Sequence, residues 1–166
     1  MEPDHVDMIV SQWHEQRPDV DVSGMAIIGR ISRLERMIRP RLNATFARHG
    51  LESWEFDVLA TLRRSGPPFR LSAGQLLRSM MITSGTMTNR IDRLEERGFI
   101  RRQPDPDDRR AVLVELTKSG LAKIDAALPD HAANEQRIIE ALSSRDRDTL
   151  VRLLRKLHHT VEKGAE

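Results

Sequence analysis

Along most of this chain apolar residues recur every three or four positions, the spacing that turns one face of a helix toward a core. Val6, Ile9, Val10 and Trp13 mark a first amphipathic helix, and Met25, Ile28, Ile31, Leu34, Ile38 and Leu42 mark a longer second one. A short stretch over 72–79 turns Leu76 and Leu77 inward, and Met80, Met81 and Ile82 supply an apolar turn. The pattern then resumes over 83–97, where Met87, Ile91 and Leu94 fall at spacings of four and three, with Thr83 as N-cap and Gly98 as the residue just past the end. The period changes downstream, and 99–103 and 111–116 read as two strands, the second alternating Val112 and Val114 against Leu113 and Glu115. Helical spacing returns with Leu121, Ile124 and Leu128, is expected to kink or break at Pro129, and continues with Ile138, Ile139 and Leu142. Ser143 and Asp146 make a capping-box start for a last helix carrying Leu150, Leu153, Leu154, Leu157 and Val161.

Two short helices joined by a tight turn, followed by a hairpin with a charged tip, are the layout of a winged helix-turn-helix. The expected fold is therefore mainly α with a small β-wing, a winged helix-turn-helix in a helical homodimer. The outer face of the 83–97 helix carries Ser84, Thr86, Thr88, Asn89 and Arg93, short donors and acceptors plus one long cation, suited to phosphates and base edges. In the tip, Asp107 stands two residues before Arg109 and braces it for a narrow groove of negative potential, with Arg110 beside it. The terminal helices have apolar stripes that need partners, and a twofold dimer supplies them. Such a dimer sets two reading helices roughly 34 Å apart on a nearly palindromic DNA site. The chain divides into an additional N-terminal helix (1–20), a dimerisation helix (21–50), the DNA-binding lobe (51–117) and C-terminal dimerisation helices (118–166).

Charge sharpens this picture. The formal net charge is only +2, yet the stretch from Arg63 to Arg110 holds 11 arginines against Asp92, Glu95, Glu96, Asp105, Asp107 and Asp108, while the first 22 residues are acidic. At 166 residues a core needs no covalent staple, and the absence of cysteine excludes disulfides and thiolate metal sites. No apolar run reaches the length of a membrane span and the N-terminus is acidic where a secretory signal is basic, so a cytoplasmic protein is expected.

The run RLSAGQLLRSMMITSGTMTNRIDRLEERGFIRRQPDPDDRRAVLVELTKSG resembles the MarR family of bacterial transcriptional regulators, with RLEERGFIRR, the DPDDRR wing and LTKSG as its best markers. With the flanking helices the similarity covers most of the chain. The resemblance implies a homodimeric repressor whose hold on DNA falls when a small ligand binds. Many members carry Arg after the threonine at 88, where this chain has Asn89, a departure that bears on base reading and not on the fold.

Three further features narrow the resemblance. An amphipathic helix bearing Trp13 precedes the family core, and Arg90 sits at the edge of a buried helix face, where a guanidinium demands an anion. Asp57 lies among apolar neighbours with Arg64 seven residues on, roughly 10 Å along the axis, a gap that suits a small planar anion. Together these look like the urate-responsive subgroup of the family. That resemblance implies that Trp13 lines or stacks on the ligand, Arg64 pairs with the urate anion, Asp57 is repelled by it, and Arg90, paired with Asp57 in the empty protein, relays the change.

Other readings have their own marks. A different aromatic or carboxylate ligand suits the same residues, and a ligand-free architectural DNA-binding dimer uses Asp57 and Arg90 only as a structural pair. An enzyme needs a nucleophile or an acid and base pair in a cleft, and no Gly-rich phosphate loop, Ser/His/Asp order or metal spacing occurs. No cofactor and no metal are expected: the adjacent His158 and His159 point about 100° apart, and His49 before Gly50 is a favourable charge at a helix end.

Overall fold

A computed structural model describes residues 2–80, 84–106 and 112–164, and Met81, Ile82, Thr83, Asp107, Arg109 and Arg110 lie outside the described residues. The elements run α1 (His5–Gln16), α2 (Ser23–Arg48), α3 (Ser53–Arg64), β1 (Arg70–Ser72), α4 (Ala73–Met80), α5 (Ser84–Glu96), β2 (Ile100–Pro104), β3 (Val112–Leu116), α6 (Lys118–Ile138) and α7 (Ser144–Lys163). This is the mainly helical fold with a small wing that the apolar spacing predicts. It forms two compact units, Met1–Ala44 and Thr45–Glu166.

In the first unit α1 starts at a capping box, where the Asp4 carboxylate accepts from the backbone of Val6 and Asp7 and the Asp7 carboxylate accepts from that of Asp4. Val6 is buried against Gly29, the residue of α2 whose missing side chain admits it. Arg30 fastens the pair by donating to both Asp4 and Asp7.

The second unit closes around Leu59 and Leu62 of α3, Leu76 of α4, Leu94 of α5, Ile100 of β2, Val114 of β3 and Ile124 of α6, all buried. Met87 and Ile91 join them, so the inner face of α5 is the one its spacing predicts. Gly98 follows the helix at φ 71°, the left-handed value that an end residue of this type requires. The sheet has the order β1-β3-β2, antiparallel throughout, with Arg102 opposite Val114 and Leu71 also opposite Val114 on the other edge.

Two expectations need correction. Strand β1 has only three residues and no run long enough to alternate, so periodicity passes over it; its pairing comes from β3, which lies between β1 and β2. Pro129 does not interrupt α6, which runs through it to Ile138. A proline inside a helix removes one backbone bond and crowds the preceding turn, and here burial of Ile124 and Ala127 on the same helix offsets that loss. The start of α7 is as expected, with Ser143 and Asp146 capping each other's backbone.

The turn from the wing into α6 gives the threonine and glycine of LTKSG their roles. Thr117 caps α6 by accepting from Gly120 N–H at 3.0 Å, and its own N–H and hydroxyl reach Phe99 O and Gly98 O. A Cβ on Gly120 would lie 1.9 Å from the Phe99 carbonyl oxygen, a backbone atom that cannot move aside. Gly120→Ala is therefore expected to destabilise the lobe by about 1–3 kcal/mol or more, lowering the melting temperature by several degrees; an unchanged thermal midpoint would contradict this packing.

Candidate DNA interface and effector cavity

Helix α5 carries the expected reading surface. Thr86, Thr88, Asn89 and Arg93 are all exposed, and Thr86, Asn89 and Arg93 follow one another at three and four positions along one stripe. The backbone of Ser84 opens the helix, but its side chain lies outside the described residues, as do Arg109 and Arg110.

The flank of α5 that faces α3 is an arginine edge that spacing alone does not reveal. Arg97 donates to both oxygens of Glu55, at 2.6 and 2.5 Å, and to Gly50 O at 2.8 Å. Arg93 donates to Glu52 at 2.8 Å and lies over the Trp54 ring at 4.8 Å, while the Trp54 indole N–H donates to the other Glu52 oxygen. Arg90 sits 5.7 Å from the same ring. Arg93, expected as a DNA contact, is thus exposed and engaged at once. Glu52, Trp54, Glu55 and Arg97 are the residues the sequence reading missed; their signal was the pair of acids at spacing three beside RLEER, visible only once α3 and α5 are known to pack.

The wing is clamped to α5 from the other side. Arg102 of β2 donates to Asp92 and to Glu95, the latter at 2.6 Å, and its backbone N–H donates to Glu95 at 2.8 Å.

Below α5 lies a half-open cavity of about 440 Å³, within the range of small-molecule sites. It brings together Asp57, Arg64 and Arg90, three of the four expected effector residues, and adds Phe56, Ser79 and His131. Trp13 is exposed on α1, in the first unit. Asp57 and Arg90 do not form the direct ion pair expected of the empty protein. They interact only at longer range, because Arg90 leans toward Trp54 and the cavity opens between the two charges. Crowding by protein atoms pushes the Asp57 carboxyl above its ordinary value, and Arg90, His131 and Arg64, in that order, pull it partly back. His131 was also not foreseen: its ring lies tilted against those of Phe46 and Phe56, its Nε2 lies 3.2 Å from Glu135, and its Nδ1 is buried without a partner.

The histidines behave differently from expectation. His49 Nε2 meets Asp130 at 2.9 Å across to α6. Adjacent positions do not keep His158 and His159 apart either, since both Nδ1 atoms approach the same Glu162 oxygen, at 3.2 and 3.6 Å. All three side chains are exposed at the end of α7.

The family model for MarR matches residues 51–112, from the start of α3 to the first residue of β3. The transcriptional regulator PecS of Dickeya dadantii is 42% identical over 146 residues, 88% of each chain. This chain belongs to the MarR family. Among solved MarR-type structures, BpsR of Bordetella bronchiseptica, whose DNA binding is regulated by 6-hydroxynicotinic acid, is 28% identical with a TM-score of 0.71, over 80% of this chain and 92% of that one. A mutant MarR from E. coli complexed with operator DNA shares the fold at a TM-score of 0.71 and 24% identity, over 87% and 96% of the two chains. As a MarR protein the chain is a DNA-binding transcriptional regulator and not an enzyme. Among the described residues no helix is long and apolar enough to cross a membrane.

The raised Asp57 value has a consequence for stability. Its ionised form is penalised in the folded chain, so the cost is present above the folded value and fades as pH falls below the ordinary 3.8. Asp57→Asn removes that cost. The variant is expected to melt slightly higher at pH 7, a small gain because the carboxyl also meets solvent, and to lose that advantage below about pH 4. A variant that melts lower than wild type at pH 7 would contradict this.

Proposed function

We propose that this regulator is a homodimeric repressor, bound to a near-palindromic operator and released from it by a small anionic ligand such as urate. The observation that carries the reading is the cavity in which Asp57, Arg64 and Arg90 meet, because one of its cations stands on the helix that bears the DNA-reading surface. An anion entering there draws the guanidiniums of Arg64 and Arg90 and repels the Asp57 carboxylate. Only unequal affinity for the two arrangements shifts the protein, and a difference of about 1–3 kcal/mol weakens DNA binding roughly 5- to 150-fold. The stacking part given to Trp13 rests on the resemblance to the urate-responsive subgroup.

On the DNA side, Ser84, Thr86, Thr88 and Asn89 meet base edges and phosphates, Arg93 exchanges Glu52 for a phosphate, and Arg109 and Arg110 bring the wing to the flanking groove. Exposed apolar side chains on α2, including Met25, Ile28 and Leu34, and on α7, including Leu150, Leu153, Leu154 and Val161, support pairing with a second copy. A second reading keeps the mechanism and changes the ligand: regulation of BpsR by 6-hydroxynicotinic acid favours an aromatic acid in the same cavity.

Titration of the protein bound to DNA from its own upstream region, with urate, related purines and aromatic acids, tests the reading. Urate is expected to release the complex, and if no ligand weakens it the sensor reading fails. Asp57→Asn is expected to keep DNA binding and blunt the ligand response; equal sensitivity in variant and wild type rules out the relay. Arg109→Ala is expected to weaken DNA binding at every ligand concentration and to lower the salt slope by about 1 if it meets a phosphate.

A further inference from the structure

Helix α3 ends in two adjacent arginines whose side chains go to different elements. Arg63 Nε donates to Asp125 of α6 at 2.7 Å, a charge-assisted bond to a carboxylate. Arg64 Nη2 donates instead to the backbone carbonyl of Ser79, at 3.3 Å, and no carboxylate pairs with it among the described residues. Ser79 is in the last turn of α4, a helix of 8 residues whose final carbonyls have no partner within it. A guanidinium at that end supplies a donor and a positive charge against the negative pole of the helix. So short a helix has little stability of its own, and its end is set by what holds it. Arg64 and Ser79 both line the cavity that holds Asp57 and Arg90.

We propose that Arg64 is a positioning residue for the helix-turn-helix: it holds the end of α4 through the Ser79 carbonyl and gives that carbonyl up when an anion occupies the cavity. A 3.3 Å bond to a neutral carbonyl loses to a shorter one between opposite charges, where Coulomb attraction adds to the hydrogen bond. Arg63, already committed to Asp125, does not exchange. The ligand is then sensed at two points of the DNA-binding unit, at the end of α4 through Arg64 and on α5 through Arg90. This rests on the cavity being the effector site, but the positioning role has a signature in the absence of any ligand.

The test uses the full-length protein and a DNA fragment from its own upstream region, comparing wild type with Arg64→Gln and Arg64→Lys. DNA affinity is measured without ligand across a range of salt, with hydrogen exchange of the α4 amides followed in parallel. The proposal expects Arg64→Gln to weaken ligand-free DNA binding about fivefold with an unchanged salt slope, and the last turn of α4 to exchange faster. Arg64→Lys, which keeps the charge and loses the fork, recovers part of the affinity. Urate added to wild type speeds exchange in the same turn. Unchanged ligand-free affinity in Arg64→Gln overturns the positioning role, even where the urate response is lost and the effector site stands. A slope lowered by about 0.9 also overturns it, by making Arg64 a phosphate contact. If urate fails to release wild type while Arg64→Gln shows its ligand-free loss, the sensor reading falls and the positioning role remains.

Discussion

Glu55 is a carboxylate with only 1% of its side chain exposed, and the geometry of the DNA-binding lobe follows from how its charge is met. Arg97 of the turn after α5 covers both oxygens, and the Glu52 N–H donates to one of them, which also caps α3. The same guanidinium reaches back to Gly50 O. One pair, its acid buried and its arginine half-exposed, thus joins the entry to α3, the first turn of α3 and the far end of α5. Separating the partners leaves the buried Glu55 carboxylate without its guanidinium, so the relative placement of these helices is not freely adjustable.

From that fixed point the hold on α5 weakens toward its start. Arg97 donates from one nitrogen to both oxygens of a buried acid, Arg93 meets the exposed Glu52 and the face of Trp54, and among the described residues Arg90 has only the ring at a distance and the long-range pull of Asp57. Of the three cations, the one in the cavity is the least committed. It is also the nearest of the three along the chain to Thr86, Thr88 and Asn89, the exposed polar side chains we propose as DNA contacts. Electrostatic change at Arg90 therefore acts on the less restrained half of the helix, with the other half as its pivot.

The helical part of this architecture was legible because its apolar faces are long enough to show a period. Met87, Ile91 and Leu94 are buried as spaced, and Ser143 with Asp146 opens α7 as read. What escaped the sequence was short or made between elements. Strand β1 is three residues long, and Glu55, like Arg97, looks like any surface charge until two helices are laid side by side. Around the cavity, Asp57 and Arg90 are marked in the sequence by their placement beside apolar residues and Arg64 by its spacing of seven from Asp57, and all three line it. His131 is not, because a lone histidine on a helix has no local mark; its role comes from the rings of Phe46 and Phe56, supplied by two other helices. The expected contact of Asp57 with Arg90 failed for a related reason: spacing fixes a face but not the rotamer, and Trp54 offers Arg90 another surface.

The grip of Arg102 on Asp92 and Glu95 bears on any attempt to reprogram which sequence this regulator recognises. Replacing α5 alone with that of a homologue would remove both acids and leave Arg102 of the retained strand without its partners. The wing would then lose its tie to the helix, and the chimera would be penalised whatever bases its new side chains prefer. The portable module is helix and first wing strand together.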